Sequence, residues 1–402
     1  MDRPPRTRHT VAILAVTQVL SWGTLYYAFA IVAHDIAREL ALAPAAVFGA
    51  YSWCLLVAGL AATPSGILID RHGGRLVMAG GSLLCGLGFI LLSQARGSAG
   101  YYLAWTVLGL SMSAVLYEAA FATLNRQFGI GARRAISTVT LFGGFASTVF
   151  WPLTVQLNGM LGWRHTFLAY GLAQLLLCLP LHLLLDTPPA AAADARQQAP
   201  ADADYKLGQA LRHPAFWKLA FAFSANSFIF SALSVHLIPI LQSCGHALSS
   251  VVWMAALIGP MQVAGRLGEM RFARNARPQA VGTVCFAVLP GSLLAVLFWG
   301  QHQVAVALFC ILYGFSNGIL TIVRGTVPQL LFGARHYGAI SGALAGPALV
   351  ARAAGPIAIA TLLQFHASPA LLFSLLLLFS LTSLGLYLMA VRSAAGAAVA
   401  LR

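Results

Sequence analysis

Apolar residues run along the chain in blocks of about twenty, each closed by a short polar stop. Two neighbouring blocks, "AAVFGAYSWCLLVAGLAATPSG" and "LVMAGGSLLCGLGFILLS", hold no ionised residue, yet "GILIDRHGGR" (66–75) between them carries Asp70, Arg71, His72 and Arg75. A membrane-crossing helix needs roughly 20 mostly apolar residues. On that measure twelve spans are predicted, at 11–33, 45–68, 76–95, 101–124, 136–158, 165–185, 215–241, 249–272, 279–299, 304–331, 339–362 and 370–391. Single spans of this kind are helices, because a lipid-exposed backbone must satisfy its own polar groups. The pattern therefore predicts an all-α polytopic membrane protein.

Composition agrees and removes the soluble alternatives. Hydrophobic residues make up 59% of the chain and charged residues 8%, where a soluble domain has about a quarter charged. So few charges do not cover a water-facing surface, and lipid is the solvent. The net charge of +14 would suggest a nucleic-acid partner in a soluble protein. Here it follows the positive-inside rule, and no nucleic acid is implied. With the N-terminus inside, Arg3, Arg6 and Arg8, Arg71 and Arg75, Arg133 and Arg134, and Arg271, Arg274 and Arg277 share one side, against Arg38, Arg96 and Arg164 opposite. Both termini are thus expected in the cytoplasm. The basic opening "MDRPPRTRHT" precedes an apolar run without an A-x-A cleavage site, which reads as a retained first span. The six cysteines lie in or beside apolar spans without CxxC or His-paired spacing, as buried small hydrophobes do.

One stretch breaks the pattern. "DTPPAAAADARQQAPADADYKLGQALRHP" (186–214) is rich in Ala, Pro and Asp and reads as a flexible cytoplasmic linker. It divides the chain into six spans in 1–185 and six in 215–402. The halves echo each other. "FGIGARRAISTVTLFGG" (from Phe128) matches "LFGARHYGAISGALAGP" (from Leu331), and "LGLSMSAVLYEAAFATL" (from Leu108) matches "LYGFSNGILTIVRGTVPQLL" (from Leu312). "VAGLAATPSG" (57–66) likewise faces "VAGRLGEMRF" (263–272). An internal repeat of this size points to a transporter of two pseudo-symmetric six-helix bundles.

Gly66, Asp70, Arg71, Gly73 and Arg75 fit the G-x-x-x-D-R-x-G-x-R signature between helices 2 and 3 of the major facilitator superfamily, which the chain resembles along its whole length. The resemblance implies the major facilitator fold, a monomer and a conformational latch at these five residues. The corresponding "RFARNARP" (271–278) keeps no such motif. "HPAFWKLAFAF" (213–223), the "RRAIS…GG" opening of helix 5 and the Gly265-Arg266 pair resemble the monocarboxylate porter and oxalate:formate antiporter branch. "SWGTLYYAFA" in helix 1 keeps part of that branch's pattern. Short loops and the resemblance together imply a bacterial inner-membrane protein.

Four ionisable residues fall well inside spans: Glu118, Arg266, Arg324 and Arg352. Each such residue at mid-helix costs about 2.5–3.5 kcal/mol on translocon scales. Three cations against one acid suggest that the excess positive charge serves an anionic substrate. Arg266 and Arg352 resemble, in place, the two cations that bind carboxylates on helices 8 and 11 of that branch, where the helix 11 residue is usually lysine. A guanidinium fork matches a carboxylate through two hydrogen bonds. Arg266 alternatively pairs with Glu269 at i+3. Glu118 and Arg324 hold nearly equivalent points of the two halves and form an interbundle salt bridge, or Glu118 alone carries the proton of symport, since burial favours the neutral acid.

Softer candidates are His236 and Asn226 in helix 7 and Tyr26 and Tyr27 in helix 1, each either a cavity-lining residue or ordinary packing. Gly338, Gly342 and Gly346 recur every four residues, as in a packing seam. The sequence holds no Walker loop, no Ser-His-Asp grouping and no metal-ligand spacing, so no enzyme, cofactor or metal is implied. The expectation is a secondary active transporter moving a small, monocarboxylate-like organic anion by alternating access, through proton symport or exchange. Efflux of a drug, toxicant or uncharged vitamin-sized solute on the same fold is the alternative.

Overall fold

The computed structural model describes residues 5–186, 204–273, 275–365 and 368–400. Helices carry the apolar blocks: α1 (Arg8–Glu39), α2 (Pro44–His72), α3 (Gly74–Ser93), α4 (Ser98–Phe128), α7 (Pro214–Ser243), α8 (Leu248–Phe272), α9 (Pro278–Trp299), α10 (Gln303–Phe332), α11 (Tyr337–Gln364) and α12 (Pro369–Ser393). The fifth and sixth spans form one helical run, Ala132–Leu183. At 1.5 Å per residue it is well over twice the roughly 30 Å hydrocarbon core. It kinks at Gly162 (φ 75°, ψ 165°), a backbone that glycine alone adopts without penalty. It is therefore two spans, α5 (132–161) and α6 (163–183). No strand occurs among the described residues.

The residues group into two compact units, Met1–Asp204 with Gly333–Gly346, and Tyr205–Phe332 with Pro347–Arg402. In the first, α4 packs on α2 and α3, and α1 on α5. Small residues permit the close approaches: a Cβ on Gly109 of α4 would stand 2.6 Å from the Cys54 carbonyl of α2. In the second unit α7 packs on α12, and α10 on α8 and α9, around a core that includes Leu241, Leu293, Phe309 and Leu372. Large apolar side chains face outward, Phe272 at 85% and Trp253 at 77% exposure, which water would penalise and lipid does not.

Three helices depart from regularity. α1 contains a π-turn at Gly23–Tyr27, where a Cβ on Gly23 would stand 2.1 Å from the Phe150 ring. α6 contains a second π-turn at Gln174–Cys178, just ahead of Pro180, which has no N–H to continue the ladder. α4 breaks at Leu116 (φ −83°, ψ −168°), and the buried Gln18 of α1 donates from Nε2 to the Val115 carbonyl there (2.6 Å).

Of the stretch read as linker, residues 187–203 lie outside the described residues. Leu207–Arg212 is a short helix. Its start is capped by Lys206 N–H donating to Gln209 Oε1 (2.8 Å), and its end by Trp217 Nε1 donating to the Leu211 carbonyl (2.9 Å). The six cysteines are free thiols, five of them buried. Some buried Ser and Thr bond back into their own helices, as Thr123 does to Ala119 (2.8 Å) and Ser224 to Ala220 (2.7 Å), while Ser316 and Ser383 donate to carbonyls of other helices, Cys285 (2.8 Å) and Ala222 (2.7 Å).

Candidate functional site: a capped helix and a buried arginine

Gly73 alone separates α2 from α3. Its φ of 84° and ψ of 167° turn the chain, and its N–H closes α2 onto the Ile69 carbonyl (2.8 Å). One turn earlier, the Asp70 carboxylate accepts from the first backbone N–H groups of α11, Gly338 N to Oδ1 (2.9 Å) and Ala339 N to Oδ2 (2.8 Å). A carboxylate there satisfies two orphan donors and meets the positive end of the helix dipole. Arg126, in the last turn of α4, donates from Nη1 to the Asp70 carbonyl and from Nη2 to the Arg71 carbonyl (3.4 Å). The side chains of Arg71 and Arg75 are exposed. The sequence places Arg126 only among the cytoplasmic cations that set orientation; its bonds to the α2 carbonyls belong to tertiary structure.

The glycine stripe of α11 lies on α2. Cβ atoms at Gly338 and Gly342 would stand 2.6 Å from the Gly66 carbonyl and 2.3 Å from that of Ala62. In return, a Cβ at Gly66 would stand 2.0 Å from the Gly338 carbonyl. These backbones touch directly, as small residues allow in membrane helices.

Tyr26 and Tyr27 are half-buried on the α1 π-turn. Tyr26 meets the rings of Trp22 (5.4 Å) and Tyr51 (6.3 Å), while Tyr27 meets Trp151 (5.8 Å). Gln174 of α6 donates from Nε2 to Thr24 Oγ1 (3.1 Å) and Ser21 Oγ (3.4 Å). Glu118, half-buried, occupies the first turn after the α4 break, where the helix dipole favours an acid.

In the second unit Arg266 is 4% exposed and Glu269 3%. The Nε and Nη1 atoms of Arg266 are buried without a hydrogen-bond partner, so Glu269 does not hold them. Gly265 beside it brings α8 onto α10, a Cβ there standing 2.4 Å from the Phe315 carbonyl. His236 Nε2 donates to the Pro356 carbonyl of α11 (2.9 Å), one turn from Arg352. That bond fixes Nε2 as the protonated nitrogen. Arg352, Arg324 and Asn226 are half-buried on α11, α10 and α7. Among the described residues no group of three His, Cys, Asp or Glu side chains is placed to hold a metal.

Helices that turn large apolar side chains outward define a polytopic membrane protein. The Major Facilitator Superfamily model matches residues 11–356, and the chain belongs to that family. It is 28% identical over 344 residues to an uncharacterized 38 kDa protein in the 23S RNA operon of Thermoproteus tenax, covering 85% of this chain and 84% of that protein. It is 25% identical to the oxalate:formate antiporter of Oxalobacter formigenes (58% of this chain, 56% of that one) and 25% identical to the rat (Rattus norvegicus) monocarboxylate transporter 13 (67% and 62%). The chain thus spans just over half the length of each of these two named transporters. The crystal structure of the human organic anion transporter MFSD10 (TETRAN) superposes with a TM-score of 0.71 at 16% identity, over 96% of this chain and all of that one, and shares the fold.

Proposed function

We propose that this transporter moves a small organic anion of the monocarboxylate type by alternating access between two six-helix bundles, 1–185 and 215–402, driven by proton symport or anion exchange. The observation that carries the reading is Arg266: a guanidinium 4% exposed, with Nε and Nη1 unengaged. Buried charge is expensive unless paired, and a carboxylate supplies both the charge and two acceptors. Arg352 completes the cationic pair, and Tyr26, Tyr27, Asn226 and His236 line the route. Glu118 and Arg324 pair between the bundles, or Glu118 carries the coupling proton. Gly66, Asp70, Arg71, Gly73 and Arg75 form the latch, with Asp70 as its bonding member. The short loops and the family resemblance support a bacterial inner-membrane protein and a monomer, and the basic asymmetry supports both termini on the cytoplasmic side. Two relatives are named for oxalate, formate or monocarboxylate transport, which supports the substrate class.

The test is uptake of labelled oxalate, formate, lactate, pyruvate and neutral solutes into proteoliposomes, with and without an inward proton gradient. Saturable carboxylate uptake that disappears in Arg266→Gln is expected. Gradient dependence separates symport from exchange. A folded wild type that ignores every carboxylate sinks the reading and leaves efflux of a neutral solute in its place.

A further inference from the structure

The α1 and α6 π-turns meet through one side chain. Gln174 opens the α6 turn, is fully buried, and donates to both Thr24, inside the α1 turn, and Ser21, just before it. Thr24 Oγ1 passes the interaction on to the Leu20 carbonyl (2.9 Å). The other amide atom, Gln174 Oε1, is buried without a partner. A glutamine that leaves an acceptor unsatisfied among apolar residues is unfavourable where leucine would fill the same volume. Its contribution is therefore the link to α1. A π-turn inserts one residue into the helix, which rotates the residues beyond it by about 100° relative to an unbroken α-helix. The side chains whose direction this sets are Tyr26 and Tyr27, the last two of the turn.

We propose that Gln174 is a positioning residue: through Thr24 and Ser21 it holds the α1 π-turn open and so aims Tyr26 and Tyr27 at the transported ligand. The proposal rests on the reading that these tyrosines line the route. Gly23 is the second support of the turn, since it leaves the space that the Phe150 ring fills. Neither Gln174 nor Thr24 touches ligand in this scheme.

The experiment uses the full chain in proteoliposomes, with labelled lactate as probe. Gln174→Leu and Thr24→Val should each raise KM about three- to tenfold, the span of one hydrogen bond between membrane helices. Vmax should stay within about twofold. The double variant should be no worse than the worse single one, because both cut the same link. Thr24→Ser, which keeps the hydroxyl, should resemble wild type. A second arm needs no transport: the rate at which a membrane-impermeant thiosulfonate labels Tyr27→Cys, measured against the parent chain with its native cysteines, should shift when Gln174→Leu is added. Equal labelling rates with and without Gln174→Leu overturn the proposal, as do losses confined to Vmax or additive in the double variant. Failure of wild type to take up lactate counts against the monocarboxylate reading instead, and the labelling arm still decides the role of Gln174.

Discussion

The two units differ in the kind of buried polarity they leave unengaged. In the first, polar side chains bond one another, Gln174 to Thr24, Ser82 Oγ to His182 Nδ1 (2.8 Å) and Asn158 Nδ2 to the Asp35 carboxylate (2.7 Å), and the atoms these leave over are neutral ones, Gln174 Oε1, His182 Nε2 and Asn158 Oδ1. In the second, Arg266 sits as deeply in the protein with two of its nitrogens unengaged. A neutral amide or imidazole atom without a partner costs far less than an unengaged guanidinium, so the first arrangement serves shape at modest cost whereas a buried cation calls for an anion. Structural integrity and ligand recognition should then be separable by mutation, one unit at a time.

The largest effect is expected at Arg266. Arg266→Met should lower carboxylate uptake at least about a hundredfold, the worth of a buried charge-assisted pair. The same change should stabilise the protein by about 1–3 kcal/mol, because an apolar side chain of similar length replaces a buried charge with two unengaged nitrogens. Thermal unfolding in detergent beside the uptake assay reads both. Lost uptake with lowered stability would mean that Arg266 is a structural member, and the contrast between the units would collapse.

In the first unit the sign reverses. Gly66→Ala puts a methyl 2.0 Å from the Gly338 carbonyl, and overpacking of this kind destabilises by about 1–3 kcal/mol. Asp70→Asn keeps one acceptor for the α11 N–H groups but loses the other and the charge. It should lower stability by about 1 kcal/mol. Both variants should melt earlier than wild type. An unchanged melting temperature in either would show that the α2–α11 seam yields without resistance.

What could be read in advance divides along the same line. All twelve spans lie within a few residues of their expected places, because lipid demands about twenty apolar residues per crossing and the chain obeys. The signature at 66–75 was equally visible, and Gly73 turns the chain there as the motif requires. The helix irregularities were hidden. "SAVLYEAAF" around Leu116 contains neither proline nor glycine, and the break shows only once Gln18 from α1 meets the Val115 carbonyl. The α1 π-turn depends on a phenylalanine 127 positions along, Phe150 against Gly23. Gln174 itself was in plain view in "AYGLAQLLLCLPL", a lone amide in an apolar span, but its partners belong to tertiary structure. The same holds for Arg266, which the sequence left between a ligand and Glu269 because the engagement of its nitrogens is a matter of tertiary structure.

The smallest effect should come from the rim of the first unit. Glu39 accepts from Trp163 Nε1 and from Arg164 Nε, both at 2.5 Å. Arg164 also reaches the Ser93 carbonyl (2.7 Å) and lies 4.4 Å over the Trp163 ring. The group braces the end of α1 against α3 and the start of α6, beside the Gly162 kink. It is nonetheless half open to solvent, with the Glu39 side chain 48% exposed, and an exposed ion pair contributes about 0–1 kcal/mol. Glu39→Gln should therefore shift the melting temperature slightly downward and leave uptake alone. Raising the salt concentration should erase the difference between the two proteins, since screening already weakens the pair in wild type. A loss that persists in high salt would place the Trp163 hydrogen bond, rather than the ion pair, in charge of this corner, and Trp163→Phe would then reproduce it.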